Sequence, residues 1–241
     1  MPLPRKALIA ISSAHPKFHA DGSHTGFWYA EALHPYQTFT DAGFEVIIAS
    51  ENGDYACDQM SLAPQVNSDD DNKVIEDTEH PFNRQLHGHV FSASDLTPTD
   101  FGIFFAAGGH GAAYDFPHGS ALQSIAQSVY TRGGPVAAVC HGPTIYEGIK
   151  SNAGHSIIKD RTITGFPVEG ELEMKVLDQL HEDNVPSVED IAEHTGATYE
   201  PPESTFAEKQ SIDAQIVTGA NPASSRGTAE NAIKVYEKNS D

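Results

Sequence analysis

Apolar, β-branched runs recur through the first part of the chain: Ala7 to Ile11, Val46 to Ala49, Ile103 to Ala106 and Val136 to Val139. Each is followed by turn residues, and stretches of helical character lie between them. The clearest are Glu31 to Ala42, stopped by Gly43, and Ala121 to Thr131, stopped by Gly133 and Gly134. Runs that are apolar on both faces are what strands covered by two layers of helices require. The alternation therefore constrains the chain to an α/β fold, a doubly wound parallel sheet with helices on both faces. Thr162 to Thr164 and Gln215 to Thr218 continue the strand series, and a last helix is predicted after Asn221-Pro222, running towards Tyr236. The stretch from Asn52 to Pro98 is long for a simple crossover and is expected to hold a helix, a mobile loop and part of a surface lobe. A chain of 241 residues can bury a sizeable core as one domain spanning 1–241, and nothing forces a second.

Composition removes several classes of function. Hydrophobic residues make up 39% and charged residues 20%, an ordinary globular balance, and no apolar stretch approaches the roughly 20 residues of a membrane span. A formal charge of -20 repels phosphate backbones with no basic cluster to compensate, which argues against nucleic acid as a partner. The acidic block from Ser68 to Glu79 reads as a solvated loop or helix face. Cys57 and Cys140 are the only cysteines, too few for a secreted disulfide scaffold and in keeping with a reducing compartment. The N-terminal apolar run reads as a first strand and not as a signal peptide, and the last residues carry no retrieval or prenylation signal. A soluble cytoplasmic protein is the expectation.

In open α/β sheets, ligands bind beyond the carboxyl ends of the strands. That rule selects the segment leading to Glu31, the loop Ala107-Gly108-Gly109-His110-Gly111, and Cys140-His141-Gly142. Val136 to Val139 ends abruptly at Cys140, and Gly142-Pro143 can turn the chain directly into a helix. This is a nucleophile elbow with Cys in place of Ser. A sulfur near a helix N-terminus is expected to have its pKa lowered from about 8.5 to between roughly 3.5 and 7.5. His141, one of 13 histidines, is a candidate acid, base or thiolate partner, or else a capping residue. A backbone N–H of Gly109 would complete an oxyanion hole with that of His141. His110 reads equally as a pocket residue or a polar loop residue. Glu31, after Phe27-Trp28-Tyr29, has an aromatic surround that would raise its pKa towards a useful acid–base value. By composition alone it is a surface carboxylate at a helix start. His87-Gly88-His89 resembles a ligand pair but lacks a third partner, so no metal is expected.

The stretches Thr25-Gly26-Phe-Trp-Tyr-Ala-Glu31-Ala-Leu-His-Pro35, Ala107-Gly-Gly-His-Gly111, Ala137-Ala-Val-Cys-His-Gly-Pro143, Thr162-Ile-Thr-Gly-Phe166 and Val217-Thr-Gly-Ala-Asn-Pro-Ala-Ser224 are similar to the fungal branch of the ThiJ/PfpI superfamily. The likeness is to its glutathione-independent glyoxalases of the heat-shock protein 31 class, and it spans nearly the whole chain. It implies a flavodoxin-like fold, a class I glutamine amidotransferase-like domain, a homodimer, and a triad of Glu31, Cys140 and His141. It also implies conversion of methylglyoxal, a 2-oxoaldehyde, to D-lactate without a cofactor, and a stress-linked chaperone-like activity towards unfolded proteins. Residence in the cytosol, with the nucleus as a further compartment, follows from the same likeness. Phe27-Trp28-Tyr29 is bulkier than the aliphatic residues usual there.

Two other functions compete. A Cys–His pair at an elbow also suits an amidase, peptidase or protein deglycase, although acyl transfer has little use for a carbon-acid base at Glu31. A holdase chaperone, with Cys140 only a redox sensor, is the alternative from another class.

Overall fold

The computed structural model describes residues 3–240. Its strands are β1 (Lys6–Ala10), β2 (Glu45–Ser50), β3 (Phe91–Ser92), β4 (Ile103–Ala106), β5 (Val136–Val139), β6 (Thr162–Ile163), β7 (Thr198–Tyr199), β8 (Gln210–Asp213) and β9 (Ile216–Gly219). A 7-stranded sheet runs in the order β3-β2-β1-β4-β5-β9-β8. Every neighbouring pair in it is parallel except β8 with β9. The helices are α1 (Tyr29–Asp41), α2 (Asp69–Glu76), α3 (Pro81–Gly88), α4 (His110–Asp115), α5 (Ser120–Thr131), α6 (Val168–Met174), α7 (Leu177–Glu182), α8 (Val188–Thr195) and α9 (Ser225–Ser240). This is the flavodoxin-like, doubly wound architecture.

Alternation along the strands supplies both faces of the core. Ile9, Phe105, Ala137 and Val139 face one apolar cluster, which Leu33 and Phe39 of α1, Phe82 of α3 and Ala232 and Tyr236 of α9 complete. Leu8, Phe104, Val136 and Ala138 face the other, closed by Leu122 and Ile125 of α5 and Ile191 of α8. Burial on both faces is why these strands read as unbroken apolar runs rather than alternating ones.

The later part of the chain differs from its sequence reading. Thr162 to Thr164 yields a short strand outside the main sheet, where β6 pairs with β7. Ile216–Gly219 does join the sheet, but β8 precedes it as an antiparallel edge strand. The helix after Asn221-Pro222 begins with a 3-10 turn, Pro222–Ser224, before α9. The 52–98 stretch holds α2, α3 and the edge strand β3. Within its acidic block, Asp69 and Asp70 are exposed but Asp71 is buried, held by Ser68 and by His34 of α1. That one residue corrects the solvated reading. His87 and His89, at the end of α3, are exposed.

Strand order reverses between β1 and β4, so the chain leaves their carboxyl ends in diverging directions. That opens the crevice in which such sheets hold ligands. The loops after β4 and β5 and the start of α1 all border it.

Candidate active site

Cys140 directly follows β5 with φ at 59°, a left-handed conformation that costs a non-glycine residue about 1 to 3 kcal/mol unless its surroundings fix it. Two backbone bonds fix it: the Cys140 N–H donates to the Gly219 carbonyl at 2.9 Å, and its carbonyl accepts from the Phe166 N–H at 2.9 Å. The chain then enters a helix, as the Gly142-Pro143 turn predicts, which is the 3-10 helix Gly142–Glu147. Cys140 is only 5% exposed.

Glu31 reaches the elbow from the first turn of α1, fully buried. Its Oε2 accepts the Gly108 N–H at 2.8 Å, while the Trp28 N–H donates to the Gly108 carbonyl at 2.9 Å. The reciprocal pair clamps the start of α1 to the loop after β4. A Cβ on residue 108 would lie 2.6 Å from Glu31 Oε2 and 2.7 Å from the His141 nitrogen, so this junction admits only glycine. The other carboxylate oxygen, Oε1, is buried and unpartnered. Burial pushes the Glu31 pKa up to about 8, against the opposing pull of the Cys140 thiol and the Gly108 N–H. The shift upward matches the sequence reading, with burial as its cause.

The Cys140 pKa shifts opposite to the sequence reading. Burial first, then the Glu31 carboxylate, push the thiol well above its ordinary value, and the N–H of Gly109 pulls it only partly back. A short 3-10 turn behind a sealed sulfur supplies too little dipole to offset desolvation. Each group's charge opposes the other's ionisation, so the two titrate as a pair that keeps one proton after the first is lost.

His141 places Nδ1 3.3 Å from Cys140 Sγ. Its Nε2 lies 2.7 Å from Oε1 of Glu171, and Nε2 of His110 lies 2.7 Å from Oε2 of the same residue. Glu171 is held well below the usual carboxylate range by the two histidines, against the upward push of burial. As an acceptor-only group it draws an N–H from each ring. Burial and the neighbouring His110 push the His141 pKa down, which keeps the ring neutral. The proton on Nε2 therefore leaves the Nδ1 lone pair directed at the sulfur.

Three of the sequence candidates thus converge on Cys140: Glu31, His141 and the Gly109 amide. His110 is brought in through Glu171, and it also lines the cavity. Glu31 and His141 flank the sulfur, but the carboxylate that orients His141 is Glu171, which sequence reasoning missed. Glu171 sits in an acidic helix with Glu169 and Glu173 and looks like one more solvated carboxylate. The available signal was Gly170 immediately before it, which packs against the Phe166 ring where a Cβ would meet it at 2.6 Å and so draws α6 inward. His110, His141 and Glu171 are the one group of three ligand-type side chains converging among the described residues, and the hydrogen bonds between them already employ the facing atoms.

The site opens into a cavity of about 480 Å³ bordered by Trp28, His34, Met60, Gly109, His110, Cys140, His141, Phe166 and Phe206, among others. A family model described as the DJ-1/PfpI family matches residues 23–234. Glyoxalase 3 of Candida albicans is 40% identical over 235 residues, which cover 97% of this chain and 99% of that protein. The Saccharomyces cerevisiae protein named glutathione-independent glyoxalase HSP31 is 38% identical, with 95% and 97% covered. The crystal structure of glyoxalase III from Candida albicans matches with a TM-score of 0.94 at 40% identity, over 97% of this chain and 98% of that one.

Proposed function

This chain belongs to the DJ-1/PfpI family, and on that footing we propose that it is a glutathione-independent glyoxalase converting methylglyoxal to D-lactate. One observation carries the reading: a single sulfur stands between two proton-transfer groups, Glu31 on one side and the Nδ1 lone pair of His141 on the other.

The chemistry uses each group once. The Cys140 thiol gives up its proton as sulfur bonds to the aldehyde carbon, and the former carbonyl oxygen becomes the hydroxyl of a hemithioacetal. The Gly109 and His141 amides are the donors for the developing oxyanion. Glu31 takes the proton from that carbon, giving an enediol, and returns one to the neighbouring carbon. One carbon is oxidised as the next is reduced, and the product is a thioester of the 2-hydroxy acid. His141 draws a proton from water, whose oxygen attacks the thioester; the C–S bond breaks and the thiol is restored. The sum is methylglyoxal plus water giving lactic acid.

Cys140, His141 and Glu171 alone form a chain suited to acyl transfer, which supports an amidase, peptidase or deglycase as the second reading. Glu31 favours the glyoxalase, because a protonatable carboxylate on the far side of the sulfur serves hydrogen transfer between carbons. The family likeness further supports a homodimer, a cytosolic and nuclear location and holdase activity on unfolded proteins. Holdase activity that survives loss of Cys140 would separate that function from turnover. The primary test mixes the purified protein with methylglyoxal, without glutathione, and follows lactate by NMR. Stoichiometric D-lactate is expected, and its absence overturns the reading.

A further inference from the structure

We propose that the outer part of the active-site cavity is a subsite for an aromatic or bulky apolar substituent, so that arylglyoxals are better substrates than methylglyoxal. The inference rests on the glyoxalase reading and adds the substrate class that the pocket selects.

Size is the first argument. Methylglyoxal has five non-hydrogen atoms, and at roughly 30 Å³ each, the share of a water molecule in the liquid, it fills about 150 Å³. The cavity offers about 480 Å³. Methylglyoxal anchored at Cys140 through its aldehyde carbon leaves most of that space to water.

The lining is the second. Trp28, Met60, Val66, Phe166, Met174 and Phe206 border the space. Cys140 is 5% exposed, whereas Met60, Val66 and Phe206 are 40%, 45% and 58% exposed. The sulfur therefore lies at the deep end and these three side chains at the mouth. They are half of the large apolar side chains exposed among the described residues, the others being Leu62, Leu172 and Ile212. Exposed apolar groups gathered at one opening mark a binding surface. The polar groups at that end are largely committed elsewhere. His34 Nε2 and Asp71 pair at 3.0 Å, and the Asn67 amide donates to the Ser61 and Ala63 carbonyls. Asn67 Oδ1 is the acceptor left over. An apolar ring meets matching surface here, and a strongly charged substituent does not.

The test compares substrates and products. Phenylglyoxal is expected to show a kcat/KM at least tenfold above that of methylglyoxal, since remote contacts contribute to binding of the transition state. Because a phenyl group also alters carbonyl reactivity, binding of the inert products is measured alongside by NMR titration. Mandelate, the phenyl analogue of lactate, is expected to bind at least tenfold more tightly than lactate. Phe206→Ala, at an exposed position where truncation leaves the core intact, should reduce that preference at least threefold, and Trp28→Ala should do likewise. Equal binding of mandelate and lactate, or a preference unmoved in both variants, overturns the subsite. Tight mandelate binding with no lactate formed from methylglyoxal would instead overturn the glyoxalase reading and leave the subsite standing.

Discussion

Glu171 accepts the Nε2 proton of His141 at 2.7 Å, and that bond decides which nitrogen of the ring faces Cys140. The carboxylate acts on the sulfur only through the imidazole.

Glu171→Gln should therefore lower turnover by at least about 100-fold, since an amide that can donate no longer dictates the tautomer. Steady-state kinetics on a variant with an unchanged circular dichroism spectrum measures this. Stability gives a second readout. The folded pKa of Glu171 is depressed, so its contribution is present above the ordinary carboxylate value and is lost as pH falls below about 4.5. Acid titration of the melting temperature should be shallower in the variant, and an unchanged acid slope would count against a charged Glu171.

Glu31→Gln should cut lactate formation by about 100- to 10,000-fold while still permitting sulfur to add to the aldehyde. With methylglyoxal deuterated at the aldehyde carbon, the wild type should show a primary isotope effect if that proton transfer limits the rate. The wild-type kcat/KM should rise through a pH near 8, the first ionisation of the Glu31–Cys140 pair, and the variant should lose this step. Near-normal turnover would return Glu31 to a structural role.

The same raised pKa predicts a stability effect of opposite sign to that of Glu171. Folded Glu31 holds a proton that the unfolded chain releases between about 4.5 and about 8, so the wild type loses stability as pH rises through this window. Glu31→Gln, which mimics the protonated form, should be more stable than wild type at pH 8 by roughly 2 to 4 kcal/mol and nearly equal at pH 4. Urea unfolding at the two pH values distinguishes the cases.

Cys140→Ala should abolish turnover and leave the fold intact, because the deleted sulfur creates only a small cavity. Cys140→Gly should be at least as stable as Cys140→Ala, by up to about 1 kcal/mol, since φ at 59° burdens alanine and not glycine. A glycine variant much less stable than the alanine one would contradict the strained elbow.

Peroxide should modify Cys140 before Cys57, and faster as pH passes 8. Burial and Asp58 push the Cys57 pKa up to about 12, whereas Cys140 has Glu31 and His141 beside it. Mass spectrometry after limited oxidation ranks the two thiols.

The central strands and the elbow were legible because their signals are local: an apolar run, then a cysteine, then a turn. Glu31 drew attention through its aromatic neighbours, and only resemblance distinguished it from a surface carboxylate. Glu171 was hidden, since its contacts with His141 and His110 join residues 30 and 61 positions apart and, apart from Gly170, nothing near it departs from an ordinary acidic helix. The direction of the Cys140 shift was misread for a related reason. Proximity to a turn is visible in a sequence, but how completely other segments seal a sulfur from water is not. The antiparallel β8 escaped because its residues are half-buried and polar, with Ile212 turned outward.

The bond from the Cys140 N–H to the Gly219 carbonyl has a consequence for biosynthesis. β5 lies between β4 and β9, so a ribosome that has released the chain only as far as β5 and the elbow has produced the cysteine on an open sheet edge, without the bonds that force its backbone over. The Phe166 amide, the Glu171 carboxylate and the Gly219 carbonyl all emerge later. The nascent protein thus carries an unactivated thiol, and the reactive centre comes into being only as the final strand docks.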